Sequence, residues 1–174
     1  GTDRKIMNYG DVVIATTAWD YRAGKDIRED EKSEHINTIK PFTIDTAIIN
    51  WARELAKDKE SLQEISESFR GTKPESTLKL LCGSVVSGAS VVTDTEIVTG
   101  ILKEQSRDIL ALEMEIYGVY YAANWAIKPR PKFMALKSIS DFADKGKADD
   151  YHKYASYTSA KVLEKLAKDY FEYD

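Results

Sequence analysis

Four apolar runs in this chain end in short stretches that carry side chains able to do chemistry. Asp11–Ala18 is followed by Trp19-Asp20-Tyr21, and Leu78–Val86 by Ser87-Gly88-Ala89-Ser90-Val91-Val92. Ile109–Leu112 is followed by Glu113-Met114-Glu115, and Phe133–Ile139 by Ser140-Asp141. A carboxyl group can pass a proton to a leaving group or accept two hydrogen bonds from a diol. Each acid also has a plain reading, as a helix cap or a first-turn charge complementing the helix dipole. Several carboxylates at neighbouring strand ends weaken that reading, because close carboxylates repel unless a ligand or a proton separates them.

Other chemistries lack their residues. The sequence has no phosphate-cradling GxxxxGK[ST] loop, no GxGxxG, no GxSxG elbow and no HExxH. Its two histidines, His35 and His152, have no second histidine or cysteine at metal-ligand spacing. A metal centre, a Ser-His-Asp triad and a bound cofactor are therefore not expected. Cys82 is the single cysteine, so no intrachain disulfide can form, and a reducing cytoplasm is the natural compartment. Lying in an apolar run, Cys82 reads as an inert core thiol.

The elements that must position these residues follow from periodicity. Asp11–Ala18 and Leu78–Val86 are apolar on both faces, as buried strands are. Ile109–Leu112 and Phe133–Ile139 read as shorter strands. Residues Arg22 to Lys40 are charged and aperiodic and read as a long loop. Thr43 or Asp45 caps a helix to about Lys57, with Ile44, Ile48, Trp51 and Leu55 at three- and four-residue spacing. Further helices are predicted over Leu62–Phe69, from Asp94 or Thr95 to Glu104, from Glu113 to about Ala126, and over Asp149–Tyr170. Core positions are the default for Trp19, Trp51 and Trp125. Alternating strands and helices give an α/β fold: three layers, α/β/α, around a mostly parallel or mixed central sheet. The 174 residues, 43% hydrophobic and 31% charged, suffice for one domain with its own core. A net charge of −4 without a basic stripe argues against nucleic-acid binding, and the apolar runs fall far short of a membrane helix.

In order and spacing, the motifs resemble a known family across nearly the whole chain. Ala111–Gly118 (ALEMEIYG) and Lys137–Asp144 (KSISDFAD) resemble the EME and ISDxAD motifs of the nucleoside phosphorylase / purine nucleosidase superfamily. Gly83–Val92 (GSVVSGASVV) and Gly10–Ala15 (GDVVIA) resemble two of its strand–loop segments. The combination is most similar to the 5′-methylthioadenosine/S-adenosylhomocysteine nucleosidase branch.

The resemblance implies roles residue by residue. Asp141 matches the acid facing purine N7, with Ser140 orienting it. Glu115 matches the residue gripping ribose hydroxyls, near the oxocarbenium-like charge of glycoside cleavage. Met114 matches the apolar floor under the ribose, and Val91 and Val92 the purine wall. Tyr151 falls near the 5′ substituent. Lys137 stands where nucleosidases carry an arginine near the attacking water, keeping the charge without the planar fork. Glu113 is the second candidate for the ribose: a helix starting at Glu113 would turn it about 200° away from Glu115.

The family's glycine-bearing first strand and its water-activating glutamate have no counterpart here, so the chain resembles roughly the carboxyl-terminal two-thirds to three-quarters of such a domain. Its N-terminal strands and any phosphate ligands are expected upstream of Gly1. The implied ligand is a small purine nucleoside, with phosphate as an alternative co-substrate, and the implied assembly is a homo-oligomer, most often a dimer. Three functions follow: hydrolysis of a purine N-glycosidic bond, phosphorolysis on the same scaffold, or nucleoside sensing without turnover in a larger signalling protein.

Overall fold

The computed structural model describes residues 1–29, 32–90, 92, 94–142 and 151–171. Its elements in chain order are β1 (Val12–Asp20), β2 (Gly24–Glu29), β3 (Lys32–Asn37), β4 (Phe42–Thr43), α1 (Thr46–Lys57), α2 (Lys59–Glu67), β5 (Leu80–Ser87), α3 (Thr95–Glu104), β6 (Ile109–Glu113), α4 (Ile116–Asn124), β7 (Leu136–Ser138) and α5 (His152–Asp169).

The main sheet has the order β4-β1-β5-β6, with β7 also on β1. β1–β5 and β5–β6 are parallel, and β4 and β7 run antiparallel to β1. β1 is central because its residues need no solvent: Val12, Val13, Ile14 and Ala15 are all fully buried. Consecutive burial means cover on both faces. Helices α1 and α5 pack on the sheet and on each other, α2 packs on both of them, and α4 packs on β1, β4 and β5. This is the expected three-layer α/β arrangement with a mixed sheet.

Local chemistry sets the helix starts. Asp45 accepts from the Ala47 N–H, Asp58 from Ser61, and Asp94 from Glu96, each satisfying an orphan donor of a first turn. Before β1, Gly10 has φ of 83°, and a Cβ there would stand 2.2 Å from the Tyr154 ring. The adjacent Asp11 is buried; it accepts from the Asn8 and Lys79 N–H groups, and burial pushes its carboxyl up.

Several expectations are corrected. Residues 24–29 and 32–37 are no loop: β2 and β3 pair antiparallel as a hairpin. Its strands are charged because no core covers them. Its base is pinned by Thr38 N–H to Ala23 O (2.7 Å), and His35 pairs with Asp26 (2.7 Å). The helix expected from Glu113 starts at Ile116, and Glu113 closes β6 instead. The strand expected over Phe133–Ile139 shortens to β7. The last helix begins at His152 among the described residues. Trp19 is buried, but Trp125 is 65% exposed at the end of α4. Cys82 is half-buried, and burial raises its thiol.

Candidate active site

A cleft of about 250 Å³ lies between β6 and the segment 137–141. Its walls are Tyr21, Ser90, Val92, residues 111–115 and residues 137–141, with Gly1. Its volume is a little below the roughly 300 Å³ at which small-molecule sites ordinarily begin. It gathers Val92, Glu113, Met114, Glu115, Lys137, Ser140 and Asp141, all chosen from the sequence.

The carboxylates do not come off one edge of the sheet, as the strand-end argument expects. Glu113 lies level with Ser87 and Asp20 at the carboxyl ends of β5 and β1. Asp141 follows β7, whose carboxyl end lies beside the start of β1. The two line one cleft although β6 and β7 lie on opposite sides of β1. Asp20 is not part of it; its carboxylate accepts from the Arg22 N–H in a turn (2.8 Å).

Glu113 and Glu115 both reach the site, because one ends a strand and the other caps a helix. Their environments differ. The Glu113 side chain is 6% exposed and tied down on every side. It accepts from the Ser87 hydroxyl, from the Glu115 N–H (2.7 Å) and from the Ile116 N–H (2.9 Å). Ser87 Oγ in turn accepts from the Tyr117 N–H (2.8 Å). A carboxylate so placed fixes the start of α4 through its N–H groups and dipole. Glu115 is 61% exposed and faces the cleft. Lys137 Nζ lies 2.5 Å from Glu115 and 3.6 Å from Glu113. The Lys137 ammonium beside Glu115 holds its carboxyl below the usual carboxylate range.

Ser140 Oγ lies 3.4 Å from the Asp141 carboxylate, which is exposed at the cleft mouth. Met114 is also exposed. Tyr151 is not among the cleft's lining residues: it stacks on Tyr9 (4.8 Å, 20°), which meets Phe142 edge-on at 5.2 Å. Through Tyr9 it is linked to Phe142. Val91 lies outside the described residues, as does Asp144 of the ISDFAD motif. His152 is exposed at the start of α5. Among the described residues no group of three His, Cys, Asp or Glu side chains is placed to hold a metal ion, and no helix is long and apolar enough to cross a membrane. Tyr21, in the stretch after the first strand, also lines the cleft, though the sequence assigned it no role there.

Residues 3–172 match the sequence model of the phosphorylase superfamily. The chain belongs to that superfamily. It is 30% identical over 155 residues to the uncharacterized protein y4jS of Sinorhizobium fredii, covering 88% of this chain and 37% of that protein. Among solved structures it is similar to 5′-methylthioadenosine/S-adenosylhomocysteine nucleosidase of Neisseria meningitidis in complex with methylthio-immucillin-A. That likeness has a TM-score of 0.65 at 23% identity, over 97% of this chain and 65% of that one. Futalosine hydrolase of Helicobacter pylori gives a TM-score of 0.66 at 20% identity, over 97% of this chain and 64% of that one. At such identities the likeness is one of fold. The chain spans less than two thirds of each of these relatives.

Proposed function

We propose that the polypeptide carrying this chain hydrolyses the N-glycosidic bond of purine nucleosides of the 5′-methylthioadenosine/S-adenosylhomocysteine kind, releasing the free base. The observation that carries the reading is the convergence of Glu115, Met114 and Asp141 on one small cleft within a fold shared with nucleosidases. In this reading Asp141 gives a proton to N7 as the bond from N9 to the anomeric carbon lengthens, so the bond's electron pair leaves with a neutral base. Ser140 orients that carboxyl. Glu115, kept ionised by Lys137, accepts the ribose hydroxyls and faces the developing oxocarbenium charge. Water then adds its oxygen to the anomeric carbon and gives up a proton, which through solvent restores the carboxyl of Asp141. Met114 supports the sugar, and Val92 with Val91 walls the base.

Two observations bear on the alternatives. Lys137 is engaged by both glutamates, so a phosphate would have to be held by other residues. The chain's 37% share of y4jS supports a larger polypeptide, in which a nucleoside-sensing role without turnover is the second reading. A homodimer is part of the proposal, as is a cytoplasmic location. The exposed Tyr121 and Trp125 on α4 support the dimer as apolar surface available for a second copy.

The test is base release from 5′-methylthioadenosine, S-adenosylhomocysteine, adenosine and inosine by the full-length natural polypeptide, with and without phosphate. Adenine released without phosphate, and lost in Asp141→Asn, supports the hydrolase. Strict phosphate dependence would move the protein to the phosphorylases. Tight binding without product would make it a sensor.

A further inference from the structure

Asp141 sits in a short segment whose ends are in the core. Ile139 is 2% exposed and Phe142 7%, while Ser140 and Asp141 between them line the cleft. Residues 139–142 belong to no helix or strand, so their position is set by contacts from elsewhere in the chain.

One turn reaches both ends of the segment. The turn Asn8–Asp11 is closed twice: the Asp11 N–H donates to Asn8 O (3.2 Å), and the Asn8 N–H donates to the buried Asp11 carboxyl (2.8 Å). From it the Gly10 N–H donates to Ile139 O (2.8 Å), and Asp11 O accepts from the Ile139 N–H (2.8 Å). The neighbouring Tyr9 ring meets Phe142 edge-on, with centroids 5.2 Å apart and planes at 75°. Tyr9 is held in its turn. Tyr151 stacks on its ring at 4.8 Å, and its hydroxyl accepts from the Arg4 guanidinium (2.9 Å). That guanidinium also lies 4.2 Å from the Phe142 ring centroid. Edge-on and cation–π contacts are directional, because the ring face is negative and its edge positive. Tyr9, Phe142 and Tyr151 are not among the residues lining the cleft.

We infer that Tyr9 is a positioning residue: its ring, acting through Phe142, sets where the Asp141 carboxyl meets N7 of a bound purine. This rests on the proposed hydrolase reading. The backbone pair with Gly10 and Asp11 anchors Ile139, and the rings anchor Phe142, so only Ser140 and Asp141 lie between two fixed points. Losing the ring frees one end of that span. A shift of about 1 Å in a reacting group can cost on the order of a hundredfold in rate, even when the change is remote from the chemistry.

The experiment is calorimetric titration of the full-length natural polypeptide and its Tyr9→Leu, Tyr9→Phe and Phe142→Leu variants with adenine and with 7-deazaadenine, in which a C–H replaces N7. The ratio of the two affinities reads the contact with N7, whereas general loosening of the cleft weakens both bases alike. The parent should prefer adenine by about tenfold or more. Tyr9→Leu and Phe142→Leu should erase most of that preference and leave the affinity for 7-deazaadenine unchanged. Tyr9→Phe keeps the ring and should keep the preference. A preference retained in either leucine variant overturns the inference, and so does an equal loss for both bases, which marks a packing role. Loss of the preference in Tyr9→Phe also overturns it, because the effect would then lie in the hydroxyl's bond to Arg4. If the parent binds neither base, or binds both equally, Asp141 does not meet N7; the hydrolase reading fails and the inference fails with it.

Discussion

Glu113 and Glu115 are two residues apart and chemically identical, yet glutamine should affect them in opposite ways. Glu113 accepts from Ser87, Glu115 and Ile116 with a carboxylate almost wholly out of solvent. Glutamine keeps one acceptor oxygen and turns an NH2 toward groups that are themselves donors. Hydrogen bonds to a charged group are worth about 1.5–3 kcal/mol each, and one is lost. Removing the charge from the start of α4 costs about 0.3–1 kcal/mol more. The sum is near 3 kcal/mol, or roughly 6–12 °C in Tm at 2–4 °C per kcal/mol for a domain of this size.

Glu115 is 61% exposed with Lys137 as its charged partner, so Glu115→Gln should cost less than about 1 kcal/mol of stability. Losing a charged hydrogen bond to the ribose should instead lower kcat/KM by about 10- to 100-fold or more. The assay pairs scanning calorimetry with base release on the same preparations. If Glu113→Gln melts within about 2 °C of the parent, or if Glu115→Gln is the less stable of the two, the division of labour derived from burial is wrong.

Lys137→Met should move the acid limb of kcat/KM to higher pH. The ammonium depresses the Glu115 pKa, so the pair's stabilising contribution is present above the unfolded carboxyl pKa and fades as pH falls through the folded one; without Lys137 the carboxyl protonates earlier. A pH–rate profile reads this, and an unmoved limb would remove Glu115 from the rate equation. Tyr120→Phe should lose about 1–3 kcal/mol, because the buried hydroxyl donates to Ala15 O (2.6 Å) and accepts from the Ala135 N–H (3.0 Å), joining β1 to the segment before β7. Urea denaturation with an unchanged midpoint would refute that bridge. Gly10→Ala combines a left-handed backbone with a clash on Tyr154, and should lower the urea midpoint by the equivalent of about 2–5 kcal/mol.

The sequence by itself determined a good deal. The β-branched, apolar runs of β1 and β5 read as buried strands, and Asp45 and Asp94 mark their helix starts because a short carboxylate is the natural partner of an orphan N–H. The EME and ISDxAD motifs gave the family, since motif order along the chain survives without any knowledge of where the strands lie. Tertiary structure decided the rest. Charged β2 and β3 pair with each other away from the apolar core, so no hydrophobic period marks them. The start of α4 depends on Glu113 reaching Ser87, a contact 26 residues away along the chain, and that contact is what separates Glu113 from Glu115. The stacking of Tyr151 on Tyr9 joins residues far apart in the chain, and no local pattern marks it. The orphaned hydroxyl of Tyr21 exists only once β5 brings Gly88 beneath its ring, because burial without a partner is a property of the assembled fold and not of the residue.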